Sequence, residues 1–481
     1  MSAILGDEAR VVGPAGGLRG ALTRENARPQ VVRDWRYSGW LAVGAVCFGA
    51  FMGQLDASIV TLTYAPLRAE FEISAAAVQW VSLAYLLALA LTLVPFGRLA
   101  DSRGRKLTYV YGFVVFTLAS GACALAPNLA TLVGLRVVQG AGASLLQASS
   151  VALVTTCAPA GRTRSALGVH AGAQALGLAL GPSLGGLLVA GWGWRWVFAV
   201  NVPVGIVALA VALVALPRTR DTAVPGRVDR LGLLALAGAL TGMLLALSAA
   251  AGMPLSAAVT AVLAVVTVGS TALLVRRLRV ATHPLVDHAL LADGPIRRGL
   301  VGAWCSYLLL FAPLVLVPSW LADHGVAADR GGFVLTALPG GFAVAATAQR
   351  ALPASIGDRI PVVLGAAATT IGLVALLTVP PSPGPVAGAL VVIGLALGLF
   401  TPANNAAVMG RTPAGVRATV GGTISMVRTL GTAAGVALVT FGLSHGVAGL
   451  DGPRFAIALL LPVAVLMLAM GWFGGTEPQA G

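Results

Sequence analysis

The chain has 481 residues, of which 57% are hydrophobic, and its mean hydropathy is +0.89. Since a soluble domain of this length builds its core from far fewer apolar residues, this composition excludes an ordinary soluble protein and indicates a polytopic membrane protein. The formal net charge of +14 would suggest nucleic-acid binding in a soluble chain, but cytoplasmic loops of membrane proteins are also rich in basic residues, and we expect no nucleic-acid partner.

The first 38 residues are polar and carry six arginines without the apolar run of a secretory signal, so we expect them to form a cytoplasmic tail. After this tail, the chain divides into fourteen apolar segments that are long enough to cross a hydrocarbon layer about 30 Å thick. The predicted spans are 40–64, 74–96, 107–126, 129–155, 165–190, 194–216, 231–251, 255–275, 299–321, 333–352, 361–379, 386–409, 417–441 and 455–474. We therefore expect an all-α polytopic membrane protein with fourteen transmembrane helices.

Positive charge is distributed unevenly between the two sides of these spans. With the N-terminus inside, most arginines and the single lysine fall in the tail or in cytoplasmic loops, and only four fall in external loops: Arg68, Arg195, Arg330 and Arg454. Because cytoplasmic loops carry the excess of positive charge, we expect both termini on the cytoplasmic side of a bacterial cell membrane.

Two short stretches indicate an internal repeat. Span five contains QALGLALG at 174–181 and span thirteen contains RTLGTAAG at 428–435, which share the pattern Gln/Arg-x-Leu-Gly-x-x-x-Gly. Two parallel six-helix repeats around a site at the membrane midplane are a transporter plan. We therefore predict a cytoplasmic tail, an N-terminal six-helix bundle, two inserted helices, a cytoplasmic linker, a C-terminal six-helix bundle and a second cytoplasmic tail, with the bounds 1–38, 39–216, 217–275, 276–298, 299–474 and 475–481.

Span one contains Asp56, the only carboxylate in any predicted span. An ionisable side chain in hydrocarbon is costly and is by default functional. Burial favours the neutral form of a carboxyl group and a nearby cation favours the charged form, so a group held between the two can bind and release protons. Arg136 in span four lies about 10 Å from the outer side, against about 13 Å for Asp56, so the two can meet. A hydrogen-bonded kink near Gly53 and a purely structural ion pair remain alternative interpretations.

The loop after span two begins at Gly97 and reads GRLADSRGRK. It resembles the Gly-x-Leu-Ala-Asp-x-x-Gly-Arg-Lys signature of the major facilitator superfamily. The resemblance implies a cytoplasmic gate that includes Gly97, Asp101, Gly104 and Arg105, in which the Asp101 carboxylate meets the start of span thirteen near 415–419. The alternative is that these charges only set the membrane topology.

Span five carries a series of small residues and one proline: Gly177, Gly181, Pro182, Gly185 and Gly186. The series is similar to the Gly-x-x-x-Gly-Pro-x-x-Gly-Gly signature of the proton-coupled antiporters of that superfamily. Small residues four apart let helices pack with their backbones in contact, and tight packing alone is the alternative interpretation. With fourteen spans, the resemblance implies the fourteen-helix drug:proton antiporter branch, which includes antibiotic-resistance exporters of actinomycetes.

Polar and aromatic side chains within the spans are candidates for a substrate cavity: Tyr85, Gln139, Gln147, Gln174 and Arg428. Gln139 also belongs to LRVVQGAGAS at 135–144, which resembles an Arg-x-x-Gln-Gly motif of the superfamily implicated in proton transfer. Arg428 lies on a stripe of small and polar residues along one face of span thirteen. Packing between helices is the alternative for many of these side chains.

Together these features predict proton-driven export of a neutral or weakly basic, amphiphilic, drug-like molecule, as in lincomycin, puromycin or methylenomycin resistance. Export of an endogenous metabolite or an amino acid fits the same motifs, and a substrate sensor or a membrane enzyme is a remote alternative. We expect no enzymatic activity and no metal, because the five histidines supply neither a catalytic base beside a nucleophile nor a metal cluster within the spans. We expect no cofactor, because the proton gradient supplies the energy. We expect a monomer in the lipid bilayer, with protons and a small molecule as its partners.

Overall fold

The computed structural model describes residues 28–159, 162–219, 229–253, 255–281, 292–349, 359–412, 417–446 and 450–472. Within these ranges, fourteen helices are long and apolar enough to cross a membrane. In chain order, α1 to α14 are Ser38–Phe71, Ala75–Ala100, Arg105–Ala124, Leu129–Cys157, Ser165–Trp192, Arg195–Ala215, Arg230–Ala250, Ala257–Val280, Gly294–Ala322, Asp329–Ala348, Arg359–Thr378, Pro383–Gly410, Val420–Ser444 and Gly452–Trp472. The predicted all-α fold with fourteen spans is confirmed, and the chain is a multi-pass membrane protein.

Helix α1 continues beyond Tyr64, where the predicted first span ends, as far as Phe71. On the way, the segment Val60–Thr63 winds more tightly, as a 3-10 helix. Pro66 accounts for this change, because it has no N–H to offer the carbonyl of Leu62 and its ring crowds that carbonyl. The tighter turn lets one helix pass the proline without ending.

The first and last six helices pack in the same pattern. In the first group α1 lies against α5, α2 against α4, and α3 against α4 and α6. In the last group α9 lies against α13, α10 against α12, and α11 against α12 and α14. The contacts of α5 with α10 and of α2 with α13 join the groups. When α1 to α6 are matched in order with α9 to α14, the α5–α10 contact corresponds to the α2–α13 contact. This symmetry of contacts is the pattern expected of two six-helix repeats related by a pseudo-twofold axis.

Burial separates central helices from peripheral ones. The apolar stretch of α9 is 89% buried inside the protein, whereas none of the apolar stretch of α8 is. Helix α7 lies over the seam between α2 and α13, and α8 packs on α7. At Gly238 and Gly242 the backbone of α7 comes against Ser270 and Thr267 of α8, so small and hydroxyl residues replace bulky apolar packing there.

Glycines with positive φ mark the two ends of the bundle. Helices α2 and α3 meet at Gly104, whose φ of 106° and ψ of 132° form a conformation that residues with a Cβ rarely adopt. Helices α5 and α6 meet near Gly193, whose φ is 89°, at the opposite end. We call these the Gly104 end and the Gly193 end.

Candidate functional site

Asp56 on α1 and Arg136 on α4 form an ion pair inside the protein. Nη1 of Arg136 donates to Oδ2 of Asp56 at 2.7 Å, and the two side chains are 1% and 0% exposed. Taking such charges out of water is unfavourable unless further hydrogen bonds satisfy them. Oδ1 of Asp56 accepts from Nε2 of Gln139 at 2.9 Å and from Nδ2 of Asn201 at 3.1 Å. Donors from α4 and α6 therefore hold the carboxylate on both of its oxygens.

The guanidinium of Arg136 is held from its other sides as well. Its Nε donates to the carbonyl of Val81 at 2.8 Å, and Nη1 donates to Oε1 of Gln139 at 2.6 Å. Its Cζ lies 4.2 Å from the ring centroid of Tyr85 and 5.7 Å from that of Phe198, both within reach of a cation–π interaction. The ion pair thus joins α1, α2, α4 and α6.

Gln139 belongs to this ion-pair network. It is fully buried, and its Nε2 also donates to Oγ of Ser120 on α3 at 2.7 Å. Gln139 was predicted to line the cavity, but it is absent from the described lining, because its amide turns towards Asp56. Gly140 lets α4 come this close to α2, since a Cβ at this position would collide with the carbonyl of Tyr85.

A chamber lies beside the network, between the two groups of helices. It has a deeper part and a larger continuation. Both parts are lined by Gln54, Gln174, Tyr307 and Arg428, so they form one chamber with walls from both repeats. The continuation reaches Gln349, directly after α10, and the chamber therefore extends towards the Gly104 end.

Four of the five predicted cavity residues line this chamber: Tyr85, Gln147, Gln174 and Arg428. Tyr85 is 1% exposed, and its ring contacts the Arg136 guanidinium while the side chain forms part of the chamber wall. Asp56 is not among the described lining residues, although Gln54 and Ala57 beside it are. Tyr85 therefore touches both the ion pair and the chamber.

Arg428 on α13 contacts an aromatic stack that the sequence analysis missed. Its Cζ lies 3.9 Å from the ring centroid of Tyr307, and Tyr307 stacks on Phe311 with centroids 6.2 Å apart and planes inclined by 24°. Both rings come from α9, where they resemble any other large residues of an apolar span. Asn201 was also missed, although a polar residue within an apolar span was a usable signal.

The loop signature is tied to the end of α6 beside Gly104. The backbone N–H of Arg105 donates to Oγ1 of Thr219 at 2.8 Å, and Nζ of Lys106 donates to the carbonyl of Leu216 at 2.7 Å. A cation beside the last carbonyls of a helix is favourable, because these groups have no partner within the helix. This part of the signature therefore fixes the position of α6 against α3.

The other predicted gate residues are Gly97 and Asp101. Gly97 lies on α2, where a Cβ would come 4.0 Å from the Cβ of Ala148 on α4, an ordinary contact. The side chain of Asp101 and the segment 413–416 lie outside the described residues. The gate contact between Asp101 and the start of α13 stays a prediction.

The glycine series of α5 lies against two helices. A Cβ would meet α1 at three positions, Gly177, Gly181 and Gly185. Pro182 and Gly186 lie instead against Gly332 of α10. A Cβ on Gly332 would collide with the carbonyl of Pro182. Helix α5 therefore packs closely on α1 of its own repeat and on α10 of the other repeat, near the Gly193 end.

Residues 46–436 match the sequence model of the Major Facilitator Superfamily. The chain is 29% identical to the riboflavin transporter RibZ of Clostridioides difficile over 83% of this chain and 87% of that protein. It is 30% identical to the tetracenomycin C resistance and export protein of Streptomyces glaucescens over 89% of this chain and 77% of that protein. The fold is shared with a solved structure of a bacterial homolog of the human lysosomal transporter Spinster, in an inward-facing and unoccupied conformation. The two match with a TM-score of 0.64 and 16% sequence identity, over 92% of this chain and 97% of that chain.

Proposed function

The chain belongs to the major facilitator superfamily, a family of transporters, and we propose that it is a proton-coupled antiporter that exports a drug-like amphiphile. The observation that carries the proposal is the buried ion pair of Asp56 and Arg136, which is separated from the chamber by Tyr85. The name of the Streptomyces relative, which includes both resistance and export, supports outward transport of a toxic compound.

In this proposal the Gly104 end faces the cytoplasm, because most of the basic loop residues belong on that side. The chamber extends towards the Gly104 end, and the packing of α5 on α10 lies near the opposite end. This geometry supports a state that takes up substrate from the cytoplasm. The proton gradient across a bacterial plasma membrane supplies the energy, so the monomer requires no cofactor.

Protonation of Asp56 is the proposed coupling step. A neutral carboxyl group loses most of its attraction for Arg136, and among the described residues the guanidinium keeps Gln139, the carbonyl of Val81 and nearby rings as partners. A buried charge that loses its partner is destabilising by about 3–5 kcal/mol, so the helices around it repack. Because Tyr85 touches both sites, proton binding alters substrate affinity, and substrate binding alters proton affinity by the same factor.

Export of an endogenous metabolite is the second candidate. The similarity to a protein named as a riboflavin transporter favours it. The ion pair and the chamber would serve this substrate by the same antiport cycle. The two candidates differ in the compound exported, not in the coupling.

The test uses a pump-deficient bacterial host that expresses wild type, Asp56→Asn or Asp323→Asn at matched membrane levels. Asp323 is exposed at the Gly193 end, so its substitution is the matched control. The panel contains tetracenomycin C, methylenomycin, puromycin, lincomycin, ethidium and riboflavin. We expect wild type and the control to protect against at least one toxic compound and Asp56→Asn to protect against none.

Equal protection by Asp56→Asn and wild type would overturn the role of Asp56. Extrusion of riboflavin by wild type without protection against any drug would favour the second candidate.

A further inference from the structure

The chamber has an unbalanced charge. Of the described residues that line it, Arg428 alone is charged. The charges of Asp56 and Arg136 cancel in their ion pair, and neither is part of the described wall. The sequence predicts a neutral or weakly basic substrate and does not separate Arg428 from the charges of Asp56 and Arg136. The structure separates them, so the bound molecule meets one positive charge.

Arg428 has no counter-ion within the part of the chain that the structure describes. No described carboxylate lies within ion-pair distance of it, and no N–H of its guanidinium donates to a described residue. Its partner is the face of Tyr307 at 3.9 Å, which replaces only part of the hydration that the guanidinium loses. The planar fork of five N–H groups matches the two oxygens of a carboxylate, so unused donors of the right geometry face the chamber.

The wall around Arg428 combines flat aromatic surface with unpaired polar atoms. The Tyr307 ring lies under the guanidinium and stacks on Phe311, with the two planes inclined by 24°. The hydroxyl of Tyr85, a side chain that is 1% exposed, and Oε1 of Gln147 have no hydrogen-bond partner among the described residues. Unpaired polar atoms in a chamber wall are positions at which a ligand forms hydrogen bonds.

We propose that the chamber binds a planar aromatic molecule with one acidic group that is ionised at neutral pH, a carboxylate or an acidic phenol, and that Arg428 pairs with this anion. This inference rests on the proposed function and names its substrate class. Tyr307 and Phe311 contact the rings, the Tyr85 hydroxyl donates to a carbonyl of the substrate, and Gln147 accepts from a hydroxyl. A monoanion neutralises Arg428, whereas a cation is repelled.

The experiment measures binding to the purified full chain of three anthracene probes that have similar shape but differ in charge. These are the carboxylate, the carboxamide and the trimethylammonium-methyl derivative, detected by energy transfer from tryptophan. We expect the carboxylate to bind about tenfold more tightly than the carboxamide, and the cation to bind most weakly. Arg428→Gln should abolish the preference and Arg428→Lys should keep part of it. The control Arg330→Gln, at an exposed position, should keep all of it.

Two results would overturn the inference. The first is that wild type binds the carboxamide or the cation as tightly as the carboxylate. The second is that Arg428→Gln binds the carboxamide with wild-type affinity and still prefers the carboxylate. If Arg428→Gln no longer binds the carboxamide, its chamber has collapsed, and the wild-type series together with Arg428→Lys decides the question.

Transport separates this inference from the proposed function. Exchange of a monoanion for one proton moves two net charges across the membrane in the same sense, whereas exchange of a neutral substrate moves one. In proteoliposomes at equal pH on both sides, a tenfold potassium gradient with valinomycin should therefore drive about 100-fold accumulation of the monoanion. The same gradient should drive about tenfold accumulation of a neutral substrate. Selective carboxylate binding without coupled proton movement would contradict antiport and support the substrate class. Proton-coupled transport of only the neutral or cationic probe would contradict the substrate class and support antiport.

Discussion

Replacement of Gln139 by leucine tests whether the network behind Tyr85 couples the two sites. Leucine fills about the same space as the glutamine side chain but removes two hydrogen bonds to the ion pair. These are the donation from Nε2 to Asp56 at 2.9 Å and the acceptance by Oε1 from Arg136 at 2.6 Å. The donation to Ser120 is lost as well.

The contacts around the ion pair set the size of the effect. A hydrogen bond to a charged group contributes about 1.5–3 kcal/mol, so the two bonds lost at the ion pair account for at most about 6 kcal/mol. The ion pair itself remains, and Asn201 still donates to Asp56 at 3.1 Å. We therefore expect Gln139→Leu to lower the free energy of unfolding by about 3 kcal/mol, with a lower midpoint of thermal denaturation.

Gln147 provides the matched control, because it lies on the same helix but in the chamber wall. The assay measures substrate affinity of the purified protein and proton-driven transport in proteoliposomes, with a compound that wild type exports. We expect Gln139→Leu to keep substrate binding and lose its response to the proton gradient. Gln147→Leu should bind substrate more weakly and remain proton-driven. The reasoning would be refuted if both variants lost affinity alike while transport still followed the proton gradient.

Three further predictions concern other parts of the fold. Gly181→Ala should lower both transport and the thermal midpoint, because its Cβ would collide with a hydroxyl of α1. Gly191→Ala on the same helix, with nothing within 4 Å of the added Cβ, should change neither, and equal effects of the two substitutions would contradict the packing role. Lys106→Met should lower stability by about 1–2 kcal/mol in thermal denaturation without changing substrate affinity, and an unchanged midpoint would argue against its contacts with α6. The Arg277 guanidinium holds the pKa of Asp229 below its usual 3.8, so this pair stabilises the protein fully above that pH and loses its effect as the pH falls through the lowered pKa. Asp229→Asn should therefore flatten the acid side of a stability–pH profile, and an unchanged profile would contradict the pairing.

The helix number and the fold class were predictable because hydrophobic length is a local property of the chain. The residues at which the helices begin and end were less predictable. Helix α1 continues to Phe71 past the predicted end at Tyr64, since a helix outside the hydrocarbon layer no longer needs apolar residues. Its tighter turn before Pro66 depends on one residue type and is readable from the sequence only after the helix is known to continue.

The candidate site was predictable in part. Asp56 and Arg136 stand out because charged residues within spans are rare. Their neutral partners do not, because the rotation of each helix decides which polar side chains meet. Gln139 and Gln147 illustrate this: both are amides on α4, yet one hydrogen-bonds the ion pair and the other lines the chamber.

The central claim is that Asp56 binds the transported proton. It is tested most directly by proteoliposomes that contain purified wild type or Asp56→Asn, with an exported compound followed under an imposed pH gradient and under substrate exchange without a gradient. We predict that Asp56→Asn exchanges the compound but does not accumulate it in response to the pH gradient. Accumulation by Asp56→Asn equal to that of wild type would contradict the claim and place the proton site elsewhere.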